Sequence, residues 1–252
     1  MLREVLEEVL KTLIKCFLVL GHSRLHFLGC IFLLFAAIYS ALFYAGFDIK
    51  LRPKIGIVKI RQKWGVKSFV YLIACLLLKI LFEFSGFTLV IVPGILAFKV
   101  SLLLDGILPA FFGIPAAYGI GLGAAFSDII HNGYSARSMS YIYWGIASYN
   151  ILFKFYGEYP DMRSLKSWLS YTYGWWCWAI GTSIVWTTTI VLEGIIPLEV
   201  AWSAYLGLLT LVMMTLYMLN IVFLYLLYPI FKKYDLYWKD IPNFYAYTYV
   251  FP

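Results

Sequence analysis

Charge is what this sequence has least of. Of its 252 residues only 13% are charged and 63% are hydrophobic, whereas soluble domains carry about 25% charged and about 45–50% apolar residues. A chain with so few polar groups cannot cover the surface of a soluble enzyme, and it is far too apolar for a disordered chain. Cysteine is scarce too. Cys16, Cys30, Cys75 and Cys177 form no C-x-x-C pair and lie in apolar or amphipathic segments, so they read as small hydrophobes rather than ligands or bridges. The sequence also lacks H-E-x-x-H, G-x-S-x-G and a Walker lysine motif, and His22, His26 and His131 are not at metal-ligand spacing. No catalytic residue, metal or cofactor is therefore assigned. Any ATP-driven work falls to another subunit.

What is present is hydrophobicity in long runs, with a mean hydropathy of +0.83 and 20% aromatic residues. The class this implies is an all-α, multi-pass protein of the cell membrane, with the lipid bilayer as its solvent. The net charge of +7 gathers in short loops, where it reports topology rather than nucleic-acid binding. Residues 1–20 place Leu2, Val5, Leu6, Val9, Leu10, Leu13, Ile14 and Phe17 at helical spacing opposite mostly charged positions. That pattern predicts an amphipathic helix at the membrane interface or docked on the bundle. Seven spans follow, at 26–46, 68–85, 99–113, 114–132, 138–156, 168–193 and 198–230. The third and fourth are short and meet at Gly113-Ile114-Pro115, a tight turn.

Orientation follows from Lys and Arg. The 47–67 loop holds seven of them, Arg163 and Lys166 lie in the 157–167 loop, and Lys232, Lys233 and Lys239 lie near the end. With seven spans all three regions fall on the cytoplasmic side, and only Arg137 lies in the opposite loops. The same count puts Arg3, Lys11, Lys15 and Arg24 outside, against the rule. The segment 86–97, GFTLVIVPGILA, then faces outward. Being apolar, with a Pro-Gly pair, it reads as a lid folded over the bundle, carried by Phe87, Pro93 and Gly94. An extended end of the next helix is the alternative.

Charges at bilayer depth cost about 2.5–3.5 kcal/mol each on insertion scales and turn toward a bundle interior. Lys79 and Glu83 are four residues apart and can neutralise one another. Lys99 and Asp105 share a span but lie about 240° apart around a helix, so they meet only if it breaks, as Gly106 and Pro109 allow. Lys99, Ser101, Asp105 and Asp128 are candidate substrate contacts, to which Asn150 adds a deep amide. Snorkelling of Lys99 and helix-end capping by Asp128 are the structural alternatives. The span 168–193 carries Trp168, Trp175, Trp176, Trp178 and Trp186, with Thr182, Ser183, Thr187, Thr188 and Thr189 at mid-depth. It lines an aromatic cavity for a flat ligand, with Trp175 or Trp176 stacking on a ring, or else it turns its tryptophans to lipid. Two small-residue stripes, Gly119–Gly123–Ser127 and Ala37–Ala41–Ala45, predict close helix packing within the bundle or against a partner.

Residues 93–128 resemble the substrate-binding membrane subunits (S components) of energy-coupling factor (ECF) vitamin transporters, in particular a QueT-like branch. The residues that carry the likeness are Pro93-Gly94, Lys99, Phe112-Gly113, Pro115-Ala116-Ala117, Gly119, Gly123 and Asp128. Asn150 to Lys154, and Asn220 running into YPIFKKYDLYWKDI, extend it. The likeness covers roughly 68–241. It implies a six-helix S-component-like bundle there, preceded by an N-terminal addition over 1–67 (amphipathic helix, extra span and basic loop) and followed by a tail, 242–252. It implies an uptake transporter's binding subunit for a small, vitamin-like molecule, toppling in the membrane when an ATPase–transmembrane energy-coupling module engages it. In that scheme Lys99 holds an anionic group while Asp128 and Asn150 orient polar edges. Family members often carry Glu at Ala97, Arg at Lys99 and Asn at Ala124, so the likeness names no particular substrate. Two other functions fit the composition: a membrane-embedded enzyme with Asp105 and Asp128 as acid/base groups on a lipid-soluble substrate, and a structural or accessory subunit.

Overall fold

The apolar periodic runs become helix over most of the chain. The computed structural model describes residues 2–50, 56–62, 64–86, 88–92, 96–148, 161–210, 216–236 and 245–249, though not the side chains of 2–20, 50, 60–62, 88–92, 96–98, 210 and 245–249. The helices are α1 (Leu2–Tyr44), α2 (Val66–Phe84), α3 (Ser101–Phe112), α4 (Ile114–Asn132), α5 (Ala136–Ser140), α6 (Leu165–Leu192), α7 (Ala201–Thr210) and α8 (Tyr217–Lys233). A π-helical turn, Tyr141–Gly145, continues α5. The fold is thus predominantly α. Among the described residues, two helices are long and apolar enough to cross a membrane: Gly21–Tyr44, within α1, and Leu165–Leu192, which is α6.

The N-terminal amphipathic segment and the first span, expected as two units, form a single helix of 43 residues, about 64 Å long. No helix breaker stands between them: Gly21 sits inside the helix, closely faced by the Trp202 indole. A second difference is extended structure in segments read as loops. β1 (Phe47–Lys50), β2 (Gly56–Gln62) and β5 (Tyr245–Tyr249) form an antiparallel sheet in the order β1-β2-β5. The basic loop and the C-terminal tail are therefore joined. Asp48 is buried at the start of this sheet, its Oδ1 accepting from Tyr39 Oη (2.8 Å) and from Ile49 N (2.7 Å). The expected lid is likewise a hairpin, β3 (Thr88–Val92) and β4 (Leu96–Lys99), irregular in register between Val90 and Val92. Phe87, Pro93 and Gly94 lie outside the described residues.

Polarity is inverted relative to a soluble fold. The buried face of α2 is Ser68, Tyr71, Cys75 and Lys79, while Phe69, Val70, Ile73, Leu77 and Leu81 point outward. α1 and α8 also expose large apolar side chains, among them Phe27, Leu34, Ile38, Val222, Leu226 and Ile230. Serine and threonine, at Ser40, Ser101, Ser140, Thr187 and Thr189, share the interior with apolar residues such as Phe111, Ile120 and Trp175. Water solvates such a surface poorly.

α2 and α4 form the most extensive helix pair. A Cβ on Gly119 would come 2.5 Å from the Leu72 carbonyl oxygen, and one on Gly123 would come 2.9 Å from the Leu76 carbonyl oxygen and Lys79 Cβ. Two glycines one turn apart thus set the distance between the helix backbones. Ser127, the third member of the stripe, is buried one turn further on. The alanine stripe of the first span behaves differently: Ala41 is exposed and Ala37 only partly covered. α1 instead buries Leu25, Ala36, Tyr39 and Phe43, and its Gly29 lies against Thr188 of α6. At Gly113 the backbone has φ 63°, which suits glycine and separates α3 from α4 in one residue.

These contacts predict that Gly119→Ala and Gly123→Ala each destabilise the protein by about 1–3 kcal/mol through overpacking. Gly207→Ala, which meets no atom within 4 Å in an exposed stretch of α7, should be neutral or stabilising by up to about 1 kcal/mol. Thermal unfolding of the three variants in detergent separates them.

Candidate functional site

Among the described residues, two charge clusters and a cavity gather most of the candidate site residues. The first cluster forms because α2 and α3 run side by side beyond the β3–β4 hairpin. Lys79 Nζ lies 2.8 Å from Asp105 Oδ1, 3.3 Å from Glu83 Oε1 and 3.2 Å from the Ser101 carbonyl oxygen, to which it donates. Ser101 Oγ donates to Glu83 Oε1 (2.7 Å), and Lys99 Nζ lies 3.1 Å from Glu83 Oε2. Lys79 and Asp105 are buried, whereas the Lys99 side chain is 56% exposed. Lys99 ends β4 and Asp105 lies in α3, so the two do not share the helix expected to begin at 99, and they meet different partners on α2. The Lys79–Glu83 pair exists as its spacing suggests, but the shorter contact of Lys79 is with Asp105.

The second cluster joins the end of α4 to the start of α5. Asp128 Oδ1 accepts from Arg137 Nε (2.8 Å) and Asn132 Nδ2 (2.9 Å), and Oδ2 accepts from Ser138 Oγ (2.6 Å). The Arg137 backbone N–H donates to Glu193 Oε1 at 2.6 Å, bringing in the end of α6. Asp128 therefore braces a three-helix corner. It does not line the cavity described next.

That cavity, of about 60 Å³, lies between α3, α5 with its π turn, α6 and α7. A water needs roughly 10–15 Å³ on this measure, so there is room for about four to six. α6 contributes Trp178, Thr182, Ser183 and Trp186, at i, i+4, i+5 and i+8 of one helix face. Ser140, Tyr141, Trp144, Gly145 and Ser148 form the opposite wall. The π turn falls within it, a feature frequent at functional sites. Leu102 and Asp105 of α3, with Leu208 and Leu216, complete the lining.

The tryptophans are fixed from behind and at their N–H groups. Trp144 stacks on Phe32 (centroids 5.9 Å, 1° between planes), and Trp178 packs against Trp175 at 4.8 Å. Trp144 Nε1 donates to Thr182 Oγ1 (3.1 Å) and Trp178 Nε1 to Ser148 Oγ (3.3 Å). Trp186 meets Tyr141 edge-on at 5.3 Å. Of the rings expected to stack on a ligand, Trp175 is a fully buried backing layer and Trp176 points outward, 47% exposed. Their neighbours Trp178 and Trp186 line the cavity together with Trp144, which the sequence reading had not singled out. The spacing Trp178–Thr182–Trp186 was the available signal. Asn150 lies outside the described residues. Asn220 is completely buried against Gly106, and neither amide atom has a partner among the described residues. Among the described residues, no group of three or more His, Cys, Asp or Glu side chains is placed to hold a metal ion.

The buried ion pair predicts a non-additive mutant cycle. Lys79→Met leaves two carboxylates without their buried cation and should cost about 3–5 kcal/mol. The double variant Lys79→Met/Asp105→Leu should recover much of that. Lys99→Ala, at the exposed end, should cost no more than about 1 kcal/mol. Unfolding in mixed detergent measures all three.

Comparison with known proteins returned no matching family model, no matching curated protein and no matching solved structure.

Proposed function

We propose that this chain is a multi-pass integral membrane protein that holds a small organic molecule within its helical bundle, as the substrate-binding subunit of an uptake transporter. The observation that carries the reading is the cavity: three tryptophans, several hydroxyls and one carboxylate converge on an otherwise apolar chamber, the make-up expected of a small-molecule site. The inverted polarity supports the bilayer part of the reading, since α2 and α8, besides the two long apolar helices, turn apolar faces outward. Residues 68–241 would act as the S-component-like bundle, and a partner ATPase–transmembrane module would supply the energy. The ligand, vitamin-like in size, would meet Asp105 and the tryptophan walls rather than Lys99, whose ammonium is engaged by Glu83.

A membrane enzyme using Asp105 and Asp128 together draws no support from this geometry. Asp105 reaches the cavity, whereas Asp128 is held in its own cluster by Arg137, Asn132 and Ser138.

A ligand that binds only the folded chain raises its melting temperature. About a hundredfold excess over Kd contributes roughly 2.7 kcal/mol, or about 5–10 °C for a chain of this size. A panel of small solutes screened against the detergent-purified protein, with mass spectrometry of anything co-purified, should find at least one such stabiliser. If no solute stabilises or co-purifies, the binding function is wrong.

A further inference from the structure

The wall of the cavity holds hydrogen-bond donors in reserve. Ser183, only 1% exposed, has a hydroxyl without a hydrogen-bond partner among the described residues. Thr182 Oγ1 accepts from the Trp144 indole at 3.1 Å, which leaves its own hydrogen over. The Tyr141 phenol and the Trp186 indole meet edge-on at 5.3 Å, and neither donates a hydrogen bond among the described residues. All four residues line the chamber. Enclosed donors left unpaired are costly, and a guest that brings acceptor atoms removes that cost. Hydroxyl hydrogens turn to suit their partner, so Ser183, Thr182 and Tyr141 can each meet an acceptor without moving the backbone.

Charge does not favour an ion here. Asp105 is the one charged side chain among the described lining residues, and Lys79 Nζ already lies 2.8 Å from its Oδ1. A cation would compete with Lys79 for that carboxylate, and an anion would face it directly. Either would lose its hydration without gaining a free counter-ion, which is costly in an apolar chamber. An uncharged guest escapes this cost. The rest of the wall is largely ring and hydrocarbon: Trp144, Trp178 and Trp186, with Leu102, Leu208 and Leu216. Tryptophan rings offer large flat surfaces on which another ring stacks.

We propose that the cavity binds an uncharged aryl ketone, a single six-membered ring whose carbonyl oxygen accepts from the hydroxyls of Tyr141 and Ser183 while its ring lies against the tryptophans. The size follows from the chamber: room for about four to six waters, at about 30 Å³ of liquid each, suits one ring with a short substituent. The proposal rests on the binding function above and names its substrate class. It puts a neutral acceptor in place of the anionic group that Lys99 was expected to hold.

The test is calorimetric titration of the full chain in nanodiscs, with partitioning into empty nanodiscs subtracted, using four probes of nearly one shape. These are acetophenone, α-methylstyrene (CH₂ in place of the carbonyl oxygen), benzoate and benzamidinium. Acetophenone should bind at least about threefold more tightly than α-methylstyrene, and both ions at least about tenfold more weakly than acetophenone. Tyr141→Phe and Ser183→Ala should each weaken acetophenone by about threefold or more and leave α-methylstyrene unchanged. Outward-facing Trp176→Phe should change neither. Because the Ser183 hydroxyl is unpaired, Ser183→Ala should not lower the melting temperature of the unliganded protein. Should Tyr141→Phe fail to fold, Ser183→Ala and the comparison of probes on the unsubstituted protein still decide. No binding of acetophenone, equal binding of it and α-methylstyrene, preference for either ion, or no effect of either substitution overturns the ligand class. If a solute from the panel still stabilises the protein, the binding function stands. A chain that neither these probes nor any panel solute stabilises loses both.

Discussion

The ammonium of Lys79 is the point on which the interior depends. An unpaired cation buried in an apolar bundle costs several kcal/mol, so the chain must bring oxygen atoms to it from more than one direction. It does so with Asp105 and the Ser101 carbonyl from α3 and with Glu83 from one turn along α2. The stem of Lys79 is accommodated by the glycine stripe of α4: a Cβ on Gly123 would lie 2.9 Å from Lys79 Cβ and 3.2 Å from its Cγ. Close packing of α2 on α4 and ion pairing of α2 with α3 are therefore one device. A larger residue at 123 would shift the stem and, through it, the ammonium.

How much of this was legible in the sequence depends on which signal each element offers. The bounds of α6 and the Gly113 break between α3 and α4 follow from apolar length and glycine chemistry, which act locally. The inward faces do not. In a helix that is apolar on both sides, period alone does not say which side meets lipid, and the informative residues are the polar ones. On α2 the series Ser68, Tyr71, Cys75 and Lys79 marks the buried face. On α6 five tryptophans divide among backing, lining and outward positions that are adjacent in sequence: Trp175 lies about one turn before Trp178 and backs it, while Trp176, two residues before it, faces outward. The partner of Asp105 was hidden for another reason: Lys79 is 26 residues distant, and no spacing rule reaches across a hairpin.

The strands show a different failure. GIVKIRQ alternates apolar and basic residues from Val58 to Arg61, and the structure buries Val58 while exposing Lys59. The period-two pattern was visible, but basic residues in a membrane chain also report topology, and that reading absorbed them. β5, near the C-terminus, then closes on β2, a long-range pairing that no local pattern specifies.

The same economy explains the cavity wall. Indole N–H groups buried without acceptors are costly, and two of the three cavity tryptophans meet the requirement by donating to hydroxyls of the facing wall, Trp144 of the π turn to α6 and Trp178 of α6 back to Ser148. These reciprocal bonds tie the two walls together and hold the rings at a fixed separation. Rigidity and lining thus share one cause: the bonds that satisfy the Trp144 and Trp178 indoles also hold their rings against the chamber.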